Sequence, residues 1–416
     1  MAANEIKISV QKFPPPLPLL WAFLPAGTEA AERLHKIHYR AIWHSLGFFG
    51  TIEMVLLLLL WPALLAPRVI DLTRRNAAMV RARTGKGIIR QMAEQAWLAA
   101  RFGFRPQAYY VMEFFLPERR RLAGDYIHRF VVKDGLYRRL KADGTTSPMT
   151  GKDGFTSYCQ ARGLPVSATE LSLSDGRIEG TGRAALPPRD LFVKRTRGRG
   201  GTRAELWHYR DGLYHRADGA SLDESRLLAR LIDLSRREPY MVQVRLINHA
   251  DIADLSPGAL ATVRLVTMID EKGGFEAVRA VFRMGQSSAS IVDNFHSGCI
   301  AAPIDLVTGE LGRATDFGLA PSVGWLDQHP ETGARIPGRR LPQWDEVVAL
   351  AQRAHAHFAD RIVVGWDIAI TTDGLLIVEG NAAPDVDNIQ RPHQGPLGQS
   401  RYAELMYWHL QRMELD

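Results

Sequence analysis

Near the C-terminal end of this 416-residue chain, Arg361-Ile-Val-Val-Gly-Trp-Asp-Ile-Ala-Ile-Thr-Thr-Asp-Gly-Leu-Leu-Ile-Val-Glu-Gly-Asn-Ala-Ala-Pro384 sets two apolar, β-branched runs on either side of Asp373-Gly374. That pattern predicts an antiparallel hairpin, and a hairpin commits its surroundings to a sheet. Glu379 and Asn381 are two residues apart, so on an extended chain they leave the same face. Folding about Asp373-Gly374 brings Asp367 within about one residue of the position opposite Glu379. A three-residue turn or a bulge puts Asp367 on that face too; a strict two-residue turn does not. In the first register two carboxylates and an amide oxygen gather, hard donors suited to Mg²⁺ held against a nucleotide's phosphates. In the second, the stretch is an ordinary hairpin with a wet polar face.

Composition narrows the partners. The chain is long enough for two or three domains and a large core. Its 46% hydrophobic and 23% charged residues are those of a globular protein. The net charge of +7 suits nucleotides, phospholipid headgroups or acidic glycans. Arginines concentrate at 119–121 and 195–203 without interleaved aromatics, which argues against nucleic acid. Cys159 and Cys299 are the only cysteines and have no metal spacing, so burial in a reducing compartment is expected for each.

The apolar run after Lys12 is broken by Pro14, Pro15, Pro16 and Pro18 and does not read as a secretory signal. Leu46 to Ala66 is a different matter. It is 21 residues long, holds five consecutive leucines at 56–60 and carries one charge, Glu53. The leucines favour insertion by roughly half a kcal/mol each, and a mid-helix acid opposes it by roughly 2.5–3.5 kcal/mol. Three readings stay open: a transmembrane helix, an in-plane or re-entrant anchor, and a buried core helix. Arg33, Lys36 and Arg40 precede the segment; Arg68, Arg74, Arg75, Arg81, Arg83 and Lys86 follow it. The heavier downstream count predicts that the C-terminal body lies in the cytoplasm, at the inner face of the membrane.

Helical spacing is expected over 28–44 and 72–102, and one or two helices over 107–140, where Tyr, Phe and Arg read as core packing. From Gly151 the pattern changes. Lys152 to Arg162 reads as a helix stopped by Gly163, and Asp190-Leu-Phe-Val-Lys-Arg-Thr196 as a strand running into Arg197-Gly-Arg-Gly-Gly-Thr-Arg203. Gly198, Gly200 and Gly201 give a backbone able to fold over an anion. It is neither a Walker A motif nor a Rossmann fingerprint, since no Lys-Ser or Lys-Thr pair follows and the next segment is strand. Residues 222–237 form a helix and Tyr240 to Ile247 a buried strand. Thr262 to Ile269 and Glu276 to Arg283 are strands carrying Arg264 and Arg283, charges that must meet an acid or an anionic ligand. Val292 to Ala302 is a polar loop, Gln343 to Ala359 an amphipathic helix, 385–400 a loop, and Tyr402 to Met413 the last helix. In that loop Asp385, Asp387, Gln390 and His393 read as solvated, with contact to substrate the alternative.

Five stretches in this order resemble the ATP-grasp superfamily, most closely its sugar-transfer-associated branch. They are Gly151-Lys…Ala-Arg-Gly-Leu-Pro165, Asp190-Leu-Phe-Val-Lys194, Leu255-Ser-Pro-Gly-Ala-Leu-Ala-Thr-Val-Arg264, Val292-Asp-Asn-Phe-His-Ser-Gly298 and Val364-Gly-Trp-Asp…Val-Glu-Gly-Asn381. The resemblance covers about residues 106–416. It implies an α+β ATP-grasp fold, two α+β subdomains gripping ATP, preceded by a helical N-terminal region with a hydrophobic anchor. The expected division is 1–105 helical with the apolar segment 46–66, 106–150 a helical lead-in, 151–240 the first subdomain and 241–416 the second.

The resemblance also implies roles. Lys152 and Lys194 would contact the phosphates, and Gly198, Gly200 and Gly201 would close over them. Strand 242–245, with Gln243 and Val244, would be the hinge that hydrogen-bonds adenine. Asp367, Glu379 and Asn381 would hold Mg²⁺ or Mn²⁺. Arg283 would stabilise the transferred phosphoryl group, with Arg264 and His296 completing the catalytic set and Asn294 and His296 bordering the metal and acceptor site. Phosphoryl transfer is chiefly positioning and charge neutralisation, which is why cations converge on one spot. Two departures stand out: the ribose-gripping acid is not evident, Asp251 and Asp254 being the candidates, and Gly298-Cys299 replaces a smaller pair. The expected activity is ATP-dependent ligation of a carboxylate to an amine or related nucleophile through an acyl-phosphate, in cell-surface polysaccharide or sugar-conjugate assembly. The alternatives are a kinase acting on a sugar or lipid-linked hydroxyl, and a nucleotide-binding membrane scaffold.

Overall fold

Alternating apolar residues in two regions of the chain pair into two antiparallel sheets, and a set of helices covers them. The computed structural model describes residues 20, 23, 29–140, 147–149, 152–179, 185–196, 204–291, 298–316 and 324–415. The helices are α1 (Ala30–Ser45), α2 (Phe48–Thr84), α3 (Ile88–Phe102), α4 (Lys152–Gln160), α5 (Glu224–Ser235), α6 (Trp344–Ala356), α7 (Asp387–His393) and α8 (Arg401–Leu415). The strands are β1 (Leu171–Ser174), β2 (Arg177–Glu179), β3 (Leu191–Arg195), β4 (Glu205–Arg210), β5 (Leu213–His215), β6 (Ser221–Leu222), β7 (Tyr240–Val244), β8 (Thr262–Ile269), β9 (Phe275–Met284), β10 (Ile300–Pro303), β11 (Ala314–Thr315), β12 (Trp325–Leu326), β13 (Val363–Thr371) and β14 (Gly374–Asn381). Most expected elements are present, with ends displaced by one to three residues; the strand expected to run to Ile247 ends at Val244.

The first sheet runs β2-β1-β7-β3-β4-β5-β6. Leu171, Leu173, Leu191, Val193, Trp207 and Val242 pack against Leu227 and Leu231 of α5. Phe192, Lys194, Met241 and Gln243 alternate with these, so they occupy the face turned away from α5. The second sheet runs β12-β11-β10-β9-β8-β13-β14. One face, with Val263, Leu265, Phe282, Trp366 and Ile368, packs on α6 through Val347, Ala351 and Ala354. Burying each large apolar side chain there contributes about 1.5–3 kcal/mol. The chain passes between sheets at 245–249, where His249 donates to the Ile370 carbonyl and Thr372 to that of Ile247.

The other face of the second sheet is apolar at one end only. There Val266, Met268, Val278 and Val363 form one core with Leu34 and Ile37 of α1, Ile127 and Val131, and Tyr402 and Met406 of α8. The N-terminal region and the second sheet therefore share a core. Gly398 allows this closeness, since a Cβ there would lie 2.1 Å from the Asp125 carbonyl oxygen.

One expectation holds in part and one is corrected. Residues 107–139 hold short helical turns followed by one unbroken helical run over 129–139, widened at Val132–Leu136. Glu113 adopts φ +54°, which no helix tolerates, and Arg83 and the Trp325 indole hold its carboxylate at 2.6 and 3.0 Å. Residues 385–400 are not a solvated loop: they contain α7, and Asp385, Gln390 and Arg391 are buried. Gln390 bonds both the N–H and the carbonyl of Ile127, and His393 accompanies the Ala280 carbonyl at 2.8 Å. Their polarity is used on backbone groups that would otherwise be orphaned inside the protein.

Candidate active site

The hairpin of β13 and β14 closes tightly, with Thr371 opposite Gly374 and Ile368 opposite Ile377. That register alone would set Asp367 against Val378, facing the wrong way. A bulge between Ile368 and Asp367 leaves Val378 over, so Asp367 pairs with Glu379 and Gly365 with Asn381. The bulge thus brings Asp367, Glu379 and Asn381 to one face.

The row continues across the sheet. Asp367 lies opposite Arg264 on β8, Arg264 opposite Val281 on β9, and Thr262 opposite Arg283. With side chains alternating along each strand, Glu379, Asp367, Arg264 and Arg283 share a face across four strands. The contacts follow. Arg264 grips Asp367 with two bonds, Nε to Oδ1 and Nη2 to Oδ2, the latter at 2.8 Å. Arg283 Nη2 lies 2.8 Å from the same Oδ2, and its Nη2 also donates to Thr262 Oγ1 at 2.7 Å. The side chains of Asp367, Arg264 and Arg283 are only 4%, 9% and 11% exposed. Burial opposes the charge on Asp367, but the two guanidiniums outweigh it and hold its carboxyl below the ordinary range.

An ionised carboxylate offers about four lone-pair sites, and the arginines take three on Asp367. One remains for a cation. Glu379 is exposed, and Asn381 turns its amide N–H to the Gly365 carbonyl at 3.4 Å, which leaves its oxygen as a donor. Three hard oxygen donors on one face therefore fit a divalent ion such as Mg²⁺. Among the described residues there is no group of three or more His, Cys, Asp or Glu suited to a metal, so any site depends on the asparagine and on ligands from substrate.

Glycines let other segments approach this row. A Cβ on Gly365 would come within 2.8 Å of Pro384, and one on Gly380 within 2.9 Å of the Phe155 ring. Phe155 belongs to α4, so Lys152, the first residue of that helix, begins close to the end of β14. The Lys152 side chain lies outside the described residues, as do Gly198, Gly200, Gly201, Asn294 and His296.

Lys194 and Gln243 occupy one face of the first sheet, with Phe192 opposite Gln243 and the Lys194 ammonium 5.7 Å from the Phe192 ring centroid. Gln243 donates to the Ser167 carbonyl at 3.3 Å, and Val244 ends β7 just before the crossover between sheets. Of the acids considered for a ribose, Asp254 is bound by Arg339 through two 2.7 Å bonds, and Asp251 lies on the same short turn.

Two residues escaped the sequence reading. Asp190 accepts from the Tyr209 N–H at 2.9 Å and approaches His208 Nδ1 at 2.8 Å and Arg245 Nη1 at 3.3 Å. Burial works against its charge, yet these donors keep it ionised below the usual range. Arg245 also reaches the Gly258 carbonyl at 3.5 Å, so it links the entry of β3 to the second sheet's approach segment. The Asp before an apolar strand and the arginine after β7 were the available signals.

The family described as sugar-transfer associated ATP-grasp matches residues 133–400. No curated protein matches the chain. Solved structures with similar backbones include D-alanyl-alanine synthetase A from Vibrio cholerae, at 11% identity and a TM-score of 0.37, covering 64% of this chain and 66% of that one. The VanG D-Ala:D-Ser ligase from Enterococcus faecalis has 12% identity and a TM-score of 0.37, with 66% and 64% covered. The ATP-grasp ligase PsnB, solved with a phosphomimetic variant of its minimal precursor, Mg and ADP, has 14% identity and a TM-score of 0.34, with 71% and 68% covered. The chain spans 66%, 46% and 59% of the length of three of the solved proteins it matches.

Proposed function

The chain belongs to the sugar-transfer associated ATP-grasp family, and on that premise we propose that it is an ADP-forming ligase joining a carboxylate to an amine or related nucleophile. The observation that supports this most is the row Glu379–Asp367–Arg264 with Arg283 on one face of the second sheet, with Asn381 beside it. It combines oxygen donors for a divalent cation with guanidiniums for an anion, as phosphoryl transfer requires.

In the proposed reaction a carboxylate oxygen of the acceptor attacks the γ-phosphorus of ATP, and the bond to the bridging oxygen of ADP breaks. The amine then attacks the acyl-phosphate carbonyl, phosphate leaves with the C–O bonding pair, and the amine loses a proton. Arg283, at the β9 end of the row, orients the transferred phosphoryl group, and Arg264 keeps Asp367 in place and ionised. Lys152 and Lys194 neutralise the phosphates, Gly198, Gly200 and Gly201 cover them, and the backbone at Gln243 and Val244 reads the adenine edge. Asn294 and His296 border the acceptor. Mg²⁺, or Mn²⁺, held by Asp367, Glu379 and Asn381, would supply charge neutralisation at the β- and γ-phosphates when bound.

The family's association with sugar transfer supports substrates tied to cell-surface polysaccharide or sugar-conjugate assembly. The apolar, largely exposed first half of α2 supports association with the inner face of the cytoplasmic membrane, the catalytic body remaining in the cytoplasm. The test is release of ADP and phosphate on adding candidate carboxylate and amine pairs, with hydroxylamine present to trap the acyl-phosphate. Hydroxamate formation is the expected result. AMP release, or turnover without a carboxylate, overturns the proposal; one added phosphate on a hydroxyl acceptor, with no hydroxamate, assigns a kinase instead.

A further inference from the structure

Among the described residues, one helix, α2, is long and apolar enough to cross a bilayer, yet both of its ends are tied to the same body. On the N-terminal side, Leu34 and Ile37 of α1 sit in the core shared with Tyr402, Met406 and the second sheet. On the C-terminal side, Trp61, Leu65 and Val69 pack on Ala99 of α3, and Val80 packs with Leu98, Tyr109 and Phe114. Polar bonds fasten that end: Gln95 to Thr73 at 2.8 Å, Gln91 to the Ala77 carbonyl at 3.2 Å, and Arg83 to Glu113 at 2.6 Å. Glu113 in turn meets Trp325, beside the second sheet.

Between His38 of α1, whose ring packs on Phe130 and Gly135, and the first body contact of α2, about Trp61, lie residues 39–60. A helix needs about 20 residues to cross the hydrocarbon once, and a chain anchored to one body must cross twice or not at all. The available stretch is roughly half of what two crossings need. It folds instead as an elbow at Leu46-Gly47, braced by Met54 against Tyr39 and Ile42.

What the elbow presents is apolar and uncovered. Phe48 and Phe49 are 77% and 84% exposed, and Ile52, Leu56, Leu59, Leu60 and Leu64 continue the surface. At about 100° per residue, Phe48, Phe49, Ile52, Leu56, Leu59 and Leu60 fall within one third of the circumference, while Glu53 and Arg68 lie to its side. Exposed Arg68, Arg74, Arg75, Arg81 and Arg90 follow along α2 and α3, matched to anionic headgroups. We infer that α2 is a monotopic anchor: its Phe48–Leu60 face enters one leaflet of an anionic bilayer, and the chain does not cross. This rests on the membrane association proposed above and is independent of the ligase chemistry.

The test uses the full chain. Flotation with phosphatidylcholine vesicles, with and without phosphatidylglycerol, measures association. Glu29→Cys and Arg90→Cys, on either side of the elbow, report sidedness by maleimide labelling of intact spheroplasts and inside-out vesicles; the native cysteines are buried. Expected are flotation with phosphatidylglycerol vesicles, both introduced cysteines labelled only from the cytoplasmic side, and a more than tenfold fall in partitioning for Leu56→Glu with Leu60→Glu at unchanged ATP turnover. Labelling from opposite sides overturns the monotopic geometry while leaving association intact. Failure of the wild-type chain to float overturns association itself. A wild-type dimer that the double variant makes monomeric, without vesicle binding, assigns the face to a second copy and overturns the proposal.

Discussion

Replacing Asp367 with asparagine is the sharpest perturbation of the row, because this carboxylate is the shared anion of two nearly buried guanidiniums. The substitution keeps the shape and removes the charge. It also turns an amide N–H₂ toward guanidinium donors, so at least one of the three bonds becomes a donor–donor contact. Removing one partner of a buried ion pair costs about 3–5 kcal/mol, since the remaining charge stays desolvated without its counter-ion. Here one carboxylate serves two guanidiniums, and a loss within that range is expected. Urea unfolding of Asp367→Asn should show the loss with or without nucleotide. Glu379→Gln, on an exposed residue of the same row, should cost under about 1 kcal/mol. Adding Arg283→Met to Asp367→Asn should recover part of the loss, because one of the two guanidiniums that faced this carboxylate is gone. A loss below about 1 kcal/mol for Asp367→Asn, or equal losses for the two acid variants, would refute the reasoning. A practical consequence follows: inactivity of Asp367→Asn confounds folding with chemistry, and Glu379→Gln is the cleaner test of the metal role.

Glu379→Gln should fold normally and lower ATP turnover at least tenfold, with partial recovery at raised Mg²⁺; unchanged turnover at all Mg²⁺ concentrations would remove Glu379 from the site. Gly380→Ala should destabilise the chain by about 1–3 kcal/mol, since its Cβ meets Phe155 at 2.9 Å and Trp366 at 3.2 Å; a neutral result in urea unfolding would mean that α4 can shift away from β14. Burial lowers His35 and His355 to about 4, so both are neutral in the fold and take up protons on unfolding. Their stabilisation is present above the unfolded histidine value near 6.5 and is lost as pH falls toward 4, each contributing about 1 kcal/mol of loss between pH 7 and 5.5. Urea midpoints at the two pH values should record this, and His355→Gln should remove about 1 kcal/mol of the dependence, the rest persisting because burial holds His38, His128 and His393 neutral as well.

How far the sequence alone reached can be judged at particular residues. Asp373-Gly374, the β-branched runs and the Glu-x-Asn spacing are local patterns, and local patterns determined the hairpin, the strand bearing Arg264, the helices and the family. The facing of Asp367 was undecided, because it depends on one leftover residue, Val378, and a bulge has no sequence signature strong enough to place it. The partners of Arg264 and Arg283 were equally open: strand position made them costly, and only the pairing of β8, β9 and β13 named Asp367 as the acid both would meet.

The errors share a cause. Gln390, Asp385 and His393 looked solvated because polarity in a loop ordinarily means water, whereas Ile127, Arg129 and the Ala280 carbonyl of β9 take up their polar contacts. The apolar segment at 46–66 shows the same division most clearly. Composition by itself determined that α2 can enter a bilayer, since transfer energy is a sum over residues. Whether it can cross depends on where its two ends are fixed, which only the tertiary structure shows: Ile37 and Val80 pack both ends into one body.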